Sequence, residues 1–196
     1  MANTSAKWNV PLWKTKEPVA HCSKDPDAPF GENPVAALLD ACTQGNMDDV
    51  LSLLEKNIDV NSTDERCYTP LMCASRAGHA DVVRALLENN ANIEATDDKG
   101  MTSLMWASLG GHSEIVRVLL IHSASVDTRD SDCGRTALMY AVLKGHMNVV
   151  KTLIDLGNAD VNAQSKDNMS VVRHSPDDID IETFLLDSGC VPGAGL

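Results

Sequence analysis

The strongest constraint on this chain is a repeat. Gly45, Gly78 and Gly111 are spaced by 33 residues, and Gly145 follows at 34. Four segments superimpose on that frame: NPVAALLDACTQGNMDDVLSLLEKNIDVN, YTPLMCASRAGHADVVRALLENNANIE, MTSLMWASLGGHSEIVRVLLIHSASVD and RTALMYAVLKGHMNVVKTLIDLGNADVN. The extra residue of the last spacing falls in the loop between Asp130 and Gly134, and Asn158 is a second one-residue insertion. A period of this length means one supersecondary unit per repeat. Such a unit cannot bury its apolar side alone, so stability must come from stacking neighbours.

The second unit shows the local logic. Thr69 suits a helix N-cap and Pro70 the first helical position. Leu71, Ala74 and Ser75 make a short helix with small residues for close packing, and Gly78-His79 breaks it. From Ala80 to Asn89, Val82, Val83, Leu86 and Leu87 form an apolar stripe at helical spacing. A polar loop with Asp97 and Gly100 leads to the next unit. Each unit therefore reads as helix–turn–helix plus a hairpin-like loop.

These residues resemble the ankyrin repeat family. The resemblance rests on Thr69-Pro70-Leu71, Ala74, Gly78-His79, Val82-Val83 and Leu86-Leu87. Their counterparts are Thr102, Leu104, Ala107, Gly111-His112, Ile115-Val116 and Leu119-Leu120, then Thr136, Leu138, Ala141, Gly145-His146, Val149-Val150 and Leu153-Ile154. It covers roughly residues 34 to 189 and implies an all-α solenoid of stacked helix–turn–helix units. The expected organisation is an irregular arm over 1–33, repeats at about 34–67, 68–100, 101–134 and 135–168, a degenerate cap at 169–189, and a tail at 190–196.

Departures from the family pattern also carry expectations. The family usually places His after the Thr-Pro-Leu triplet; here Met72, Met105 and Met139 stand there, and Met fills the space instead. Cys67 occupies the register of Gly100 and Gly134, which implies a different first turn. The first repeat lacks the Thr-Pro start and reads as a capping unit. After Asn168 the pattern decays to a cap helix with Ile179, Ile181, Phe184 and Leu185 on its apolar side. Asp177, Asp178, Asp180 and Glu182 make it polar outside.

The arm has four of the chain's eight prolines (Pro11, Pro18, Pro26, Pro29) and two of its three tryptophans. Its four lysines balance its four acidic residues, so the whole net charge of -12 belongs to residues 34–196. The prolines argue against a long helix. The favoured reading packs Trp8, Leu12 and Trp13 back onto the first repeat; the alternative makes them a linear motif that docks into a partner.

Charge and composition limit the functions. A chain at -12 without a basic cluster repels the phosphate backbone, so no nucleic acid is expected, nor an anionic membrane surface. No run approaches about 18 apolar residues, so no membrane span is expected. The N-terminus lacks the apolar core of a signal peptide, which points to the cytosol or nucleus. The six cysteines show no metal-ligand spacing and read as reduced thiols.

His79, His112 and His146 recur at the turn. Stacked helices lie about 8–10 Å apart, too far for these rings to share one metal ion. The ladder instead reads as turn histidines bonded to loop backbone, while His21, His122 and His174 are isolated. No G-x-S-x-G, H-E-x-x-H or phosphate loop occurs, and Asp177-Asp178 reads as a solvated pair. The expectation is a non-enzymatic chain with no cofactor, no metal and no small-molecule substrate, monomeric by itself.

The informative positions vary between repeats while the frame stays constant. Three ladders map onto the inner-helix face and loop tips, where the resemblance implies partner contacts: Asp40, Cys73, Trp106 and Tyr140; Thr43, Arg76, Leu109 and Leu143; and Tyr68, Met101 and Arg135. Trp106 and Tyr140 would anchor another protein, with Leu109, Leu143 and Met101 as apolar surround and Arg76 and Arg135 as orienting charges. The competing reading is half-buried packing between repeats. The expected function is a scaffold or adaptor. Alternatives are a structural subunit anchored by its arm, or an inhibitor of a partner enzyme or transcription factor. Asn61 and Asn162 resemble the family's hydroxylation sites, although a plain turn asparagine is the favoured reading there.

Overall fold

Each unit begins where a side chain replaces a missing backbone partner. The hydroxyls of Thr69, Thr102 and Thr136 accept from the amides of Met72 (3.2 Å), Met105 (3.4 Å) and Met139 (3.4 Å). The same three methionines send their side chains into the core, where each is at most 1% exposed. Asn33 does the capping in the first unit, accepting from Val35 at 3.0 Å, with Pro34 at the first helical position. The missing Thr-Pro pair is thus replaced by a chemically equivalent Asn-Pro.

The structure, a computed structural model, describes residues 33–174 and 179–191. Four helix pairs follow one another: α1 (Pro34–Gln44) and α2 (Met47–Glu55), α3 (Pro70–Ala77) and α4 (Ala80–Glu88), α5 (Ser103–Gly110) and α6 (Ser113–Ile121), α7 (Ala137–Leu143) and α8 (Met147–Asp155). A 3-10 turn, Val171–His174, and α9 (Ile179–Asp187) complete the described stack. The arm with Trp8, Leu12, Trp13 and Cys22 lies outside the described residues, as do Asp177 and Asp178. No helix among the described residues is long and apolar enough to cross a membrane. The described residues form an all-α solenoid of stacked helix–turn–helix units.

One apolar core runs through the stack. Val82, Val83 and Leu86 are buried, and Ile115, Val116, Leu119, Val149, Val150 and Leu153 repeat the stripe in the next two units. Leu87 is half-buried against the same core. First helices pack more closely on one another than second helices do. The stack therefore curves with α1, α3, α5 and α7 on the inside.

The turn histidines hold successive units together. The Nε2–H of His79 donates to the Thr43 carbonyl at 3.1 Å, that of His112 to Arg76 at 3.1 Å, and that of His146 to Leu109 at 3.2 Å. Their acceptors lie at the end of the first helix of the preceding repeat, not in their own loop. Each bond is thus an inter-repeat tie. The ring passes close over a left-handed glycine: at Gly111, φ is +78°, and a Cβ would come within 2.7 Å of the His146 ring.

Two expectations about special residues are corrected. Cys67 does not make a different turn: its φ is +62°, in line with +73° at Gly100 and +66° at Gly134. The loops are coupled to one another, since the amides of Asp98, Ser131 and Lys166 donate to the carbonyls of Arg66 (3.1 Å), Lys99 (2.8 Å) and Cys133 (2.8 Å). That inter-loop ladder imposes one conformation and overrides the side chain at position 67. In the cap, Ile181 and Leu185 are buried but Ile179 is 75% exposed. Residues two apart lie on opposite sides of a helix, so Ile179 and Ile181 could not share the inner face. The first helix of this last unit is reduced to the turn at Val171–His174, which packs on α7.

Candidate partner-binding face

The loops that precede α5 and α7 are built on buried aspartates. Asp97 is 5% exposed and Asp130 is 3% exposed. Oδ1 of Asp97 accepts from the amides of Lys99 (2.9 Å) and Met101 (2.8 Å). Oδ1 of Asp130 accepts from Cys133 (2.6 Å) and Gly134 (3.2 Å), and Oδ2 from the amide of Arg135 (2.9 Å). The one-residue insertion in that loop is absorbed by this wider set of amides. Asp64 supports the earlier loop in the same way, through the amides of Arg66 and Tyr68.

Oδ2 of each carboxylate reaches an aromatic side chain on the inner helix, and in Asp130 it also keeps the Arg135 amide. Trp106 donates from Nε1 to Asp97 at 3.1 Å, and the Tyr140 hydroxyl donates to Asp130 at 3.0 Å. Burial pushes the Asp97 carboxyl above its usual value, opposed by the amides of Met101 and Lys99. Burial also raises the Tyr140 phenol, helped by the charge of Asp130, so the hydroxyl stays protonated and remains the donor. Tyr68 is pushed up to about 12 by burial and then by the charge of Asp97. These bonds brace each half-buried ring against its loop.

Two guanidinium groups cover those rings. The Cζ of Arg76 lies 5.3 Å from the Trp106 centroid, and that of Arg135 lies 6.0 Å from the Tyr140 centroid. Tyr68 packs against Trp106 with centroids 5.5 Å apart at a 43° tilt. Cation–π contacts of this kind contribute about 0.5–1 kcal/mol each when exposed. Leu109 and Leu143 are half-buried near the C-terminal ends of the helices that carry the rings, α5 and α7. The structure thus brings Tyr68, Arg76 and Trp106 into one cluster, and Arg135 and Tyr140 into a second on the following repeat.

Two members of the expected set fall away. Cys73 is 8% exposed and Met101 is 4% exposed. Cys73 is a small apolar side chain that belongs to the α1–α3 packing, and burial raises its thiol pKa to about 11. Met101 has a flexible unbranched chain that can fold down onto the core, while the ring at position 68 and the guanidinium at 135 stay partly exposed. Neither residue offers surface to a partner.

Sequence reasoning placed Asp97 in a polar loop and Asp130 at the edge of the loop with the insertion, gave neither a role, and passed over Asp64. A signal was present: the three aspartates recur at spacings of 33. The hairpin asparagines also have structural partners. Asn61 accepts from the Asn92 amide at 2.7 Å, and Asn162 accepts from the Val191 amide at 2.8 Å. Five described cysteines (Cys42, Cys67, Cys73, Cys133 and Cys190) are free thiols.

A family model described as ankyrin repeats (3 copies) matches the chain at residues 19–97, 38–130, 95–165 and 122–191. No curated protein matches the chain.

Proposed function

The chain belongs to the ankyrin repeat family, whose repeats mediate protein–protein interactions, and from that premise we propose that it is a non-enzymatic scaffold or adaptor. It binds another protein across the inner face of repeats two to four. Trp106 and Tyr140 are the anchors, Leu109 and Leu143 the apolar surround, and Arg76 and Arg135 the orienting charges. The observation that supports this reading is the bracing of both rings: the loop aspartates hold them in place before a partner arrives. A preordered surface loses less side-chain entropy on binding, about 0.5–1.5 kcal/mol for each side chain already immobilised.

The test follows from the same geometry. Replacing Trp106 or Tyr140 would also unsettle a loop, so the informative variant leaves both in place. A chain carrying Arg76→Ala, Leu109→Ser and Leu143→Ser, checked by circular dichroism, is compared with the wild type in affinity capture from the native cell. Loss of a partner from the folded variant supports the inner face as the binding site. Retention of every partner removes it from consideration.

A further inference from the structure

Resting on the inner-face reading above, we infer that the partner segment is acidic, with carboxylate side chains that seat on the guanidinium groups of Arg76 and Arg135. The argument starts from what the face leaves unsatisfied. The polar atom of each anchor ring is already spent, Trp106 Nε1 on Asp97 and the Tyr140 hydroxyl on Asp130. Both aspartates are in turn saturated by loop amides and are no more than 5% exposed. They contribute almost no free acceptor to the surface.

What remains is a set of donors. Among the described residues neither Arg76 nor Arg135 forms an ion pair, in contrast to Arg84, which pairs with Asp81 and Glu114. Each guanidinium carbon lies over a ring, 5.3 Å from the Trp106 centroid for Arg76 and 6.0 Å from the Tyr140 centroid for Arg135. A planar fork of donors matches a carboxylate in two parallel bonds. The net charge of -12 opposes an acidic partner, and Asp40, Asp64 and Asp98 act on the groups around Arg76, so the two guanidiniums must outweigh them at close range. At physiological salt that repulsion is screened beyond about 8 Å, while close desolvated pairs are screened much less.

The experiment pans a random-peptide library displayed on phage against the full-length chain. Selected peptides are synthesised and titrated against wild type, Arg76→Gln/Arg135→Gln, Leu109→Ser/Leu143→Ser, and Arg117→Gln as an exposed control on α6. Each variant is checked for folding by circular dichroism. The inference requires enrichment in Asp and Glu and a weakening of about tenfold or more in the double arginine variant, as expected for lost charge-assisted hydrogen bonds. Arg117→Gln should bind as wild type.

Peptides without acidic enrichment that still lose affinity on Leu109→Ser/Leu143→Ser overturn the acidic assignment and leave the inner-face function standing. Acidic peptides indifferent to Arg76→Gln/Arg135→Gln overturn it too. Binding that appears only when phosphoserine replaces the glutamates assigns the site to phosphate and overturns the carboxylate reading. A selection that yields no peptide sensitive to either Leu109→Ser/Leu143→Ser or Arg76→Gln/Arg135→Gln removes the inner-face function as well.

Discussion

Cys67 tests whether the inter-loop ladder dictates backbone conformation. It is an exposed non-glycine residue at φ +62°, in the register where Gly100 and Gly134 stand at +73° and +66°. A left-handed conformation costs an L-residue about 1–2 kcal/mol. Glycine removes that cost but gives up about 0.5–1 kcal/mol in unfolded-state entropy. Because the thiol is exposed, little packing is lost, and Cys67→Gly should stabilise the protein by roughly 0.5–1 kcal/mol. Gly100→Ala should act in the opposite sense. A Cβ there would meet the hydroxyl of Ser131 and come within 2.8 Å of its backbone nitrogen. That nitrogen donates to Lys99 at 2.8 Å, so any retreat breaks a rung of the ladder. Backbone strain and overpacking together should cost about 2 kcal/mol or more. Urea denaturation followed by circular dichroism and by tryptophan fluorescence reads both changes. Coincident transitions are needed before either shift is converted to free energy. A destabilising Cys67→Gly, or a neutral Gly100→Ala, would refute the claim that all these loops share one enforced turn.

Three further outcomes follow from the same structure. His112→Ala removes the tie from Nε2 to the Arg76 carbonyl and should cost about 1 kcal/mol, read as a lower urea midpoint. Asp97→Ala strips the acceptor from Lys99, Met101 and Trp106 together; the expected loss is about 3 kcal/mol, with altered Trp106 emission. His174 gives the pH dependence. It is 4% exposed, its Nδ1–H donates to Ser170 at 2.9 Å, and its buried Nε2 has no partner. Burial lowers its pKa, and the nearby Arg135 charge adds to this while Asp167 opposes it. The folded state therefore favours the neutral ring, and its contribution is fully present above the unfolded value near 6.5. Stability should fall as pH drops through that value toward the lower folded pKa. Thermal melts across this range should show a steeper loss for wild type than for His174→Leu; equal slopes would exclude His174 as the cause.

The repeat frame was legible because every unit solves the same problem with the same residues. Threonine caps, turn glycines and the apolar stripe are local features, and period alone aligns them. Residues whose role depends on another repeat were harder to read. Asp97 reads only as one residue of a polar loop until Trp106, nine positions on, is seen to complete its hydrogen bonds. Cys67 looks like a reason for a different turn until the rung from Asp98 to Arg66 is present. The turn histidines were placed correctly on backbone, but their acceptors lie in the preceding unit, which no single repeat contains. Met101 shares a ladder with Tyr68 and Arg135, yet only its side chain is supple and apolar enough to turn inward. In the cap, Ile179 and Ile181 were assigned one face against the helical period itself, and the exposure of Ile179 follows.

The central claim is that a protein partner lies against the inner face. Site-specific photocrosslinking in the native cell tests it most directly, with a photoreactive amino acid placed at Leu143 on α7 or at Ile121, which is 66% exposed at the end of α6. The inner-face account requires a covalent adduct with another protein at Leu143 and none at Ile121. Adducts at Ile121 with none at Leu143 would place the partner on the opposite side of the stack and contradict it.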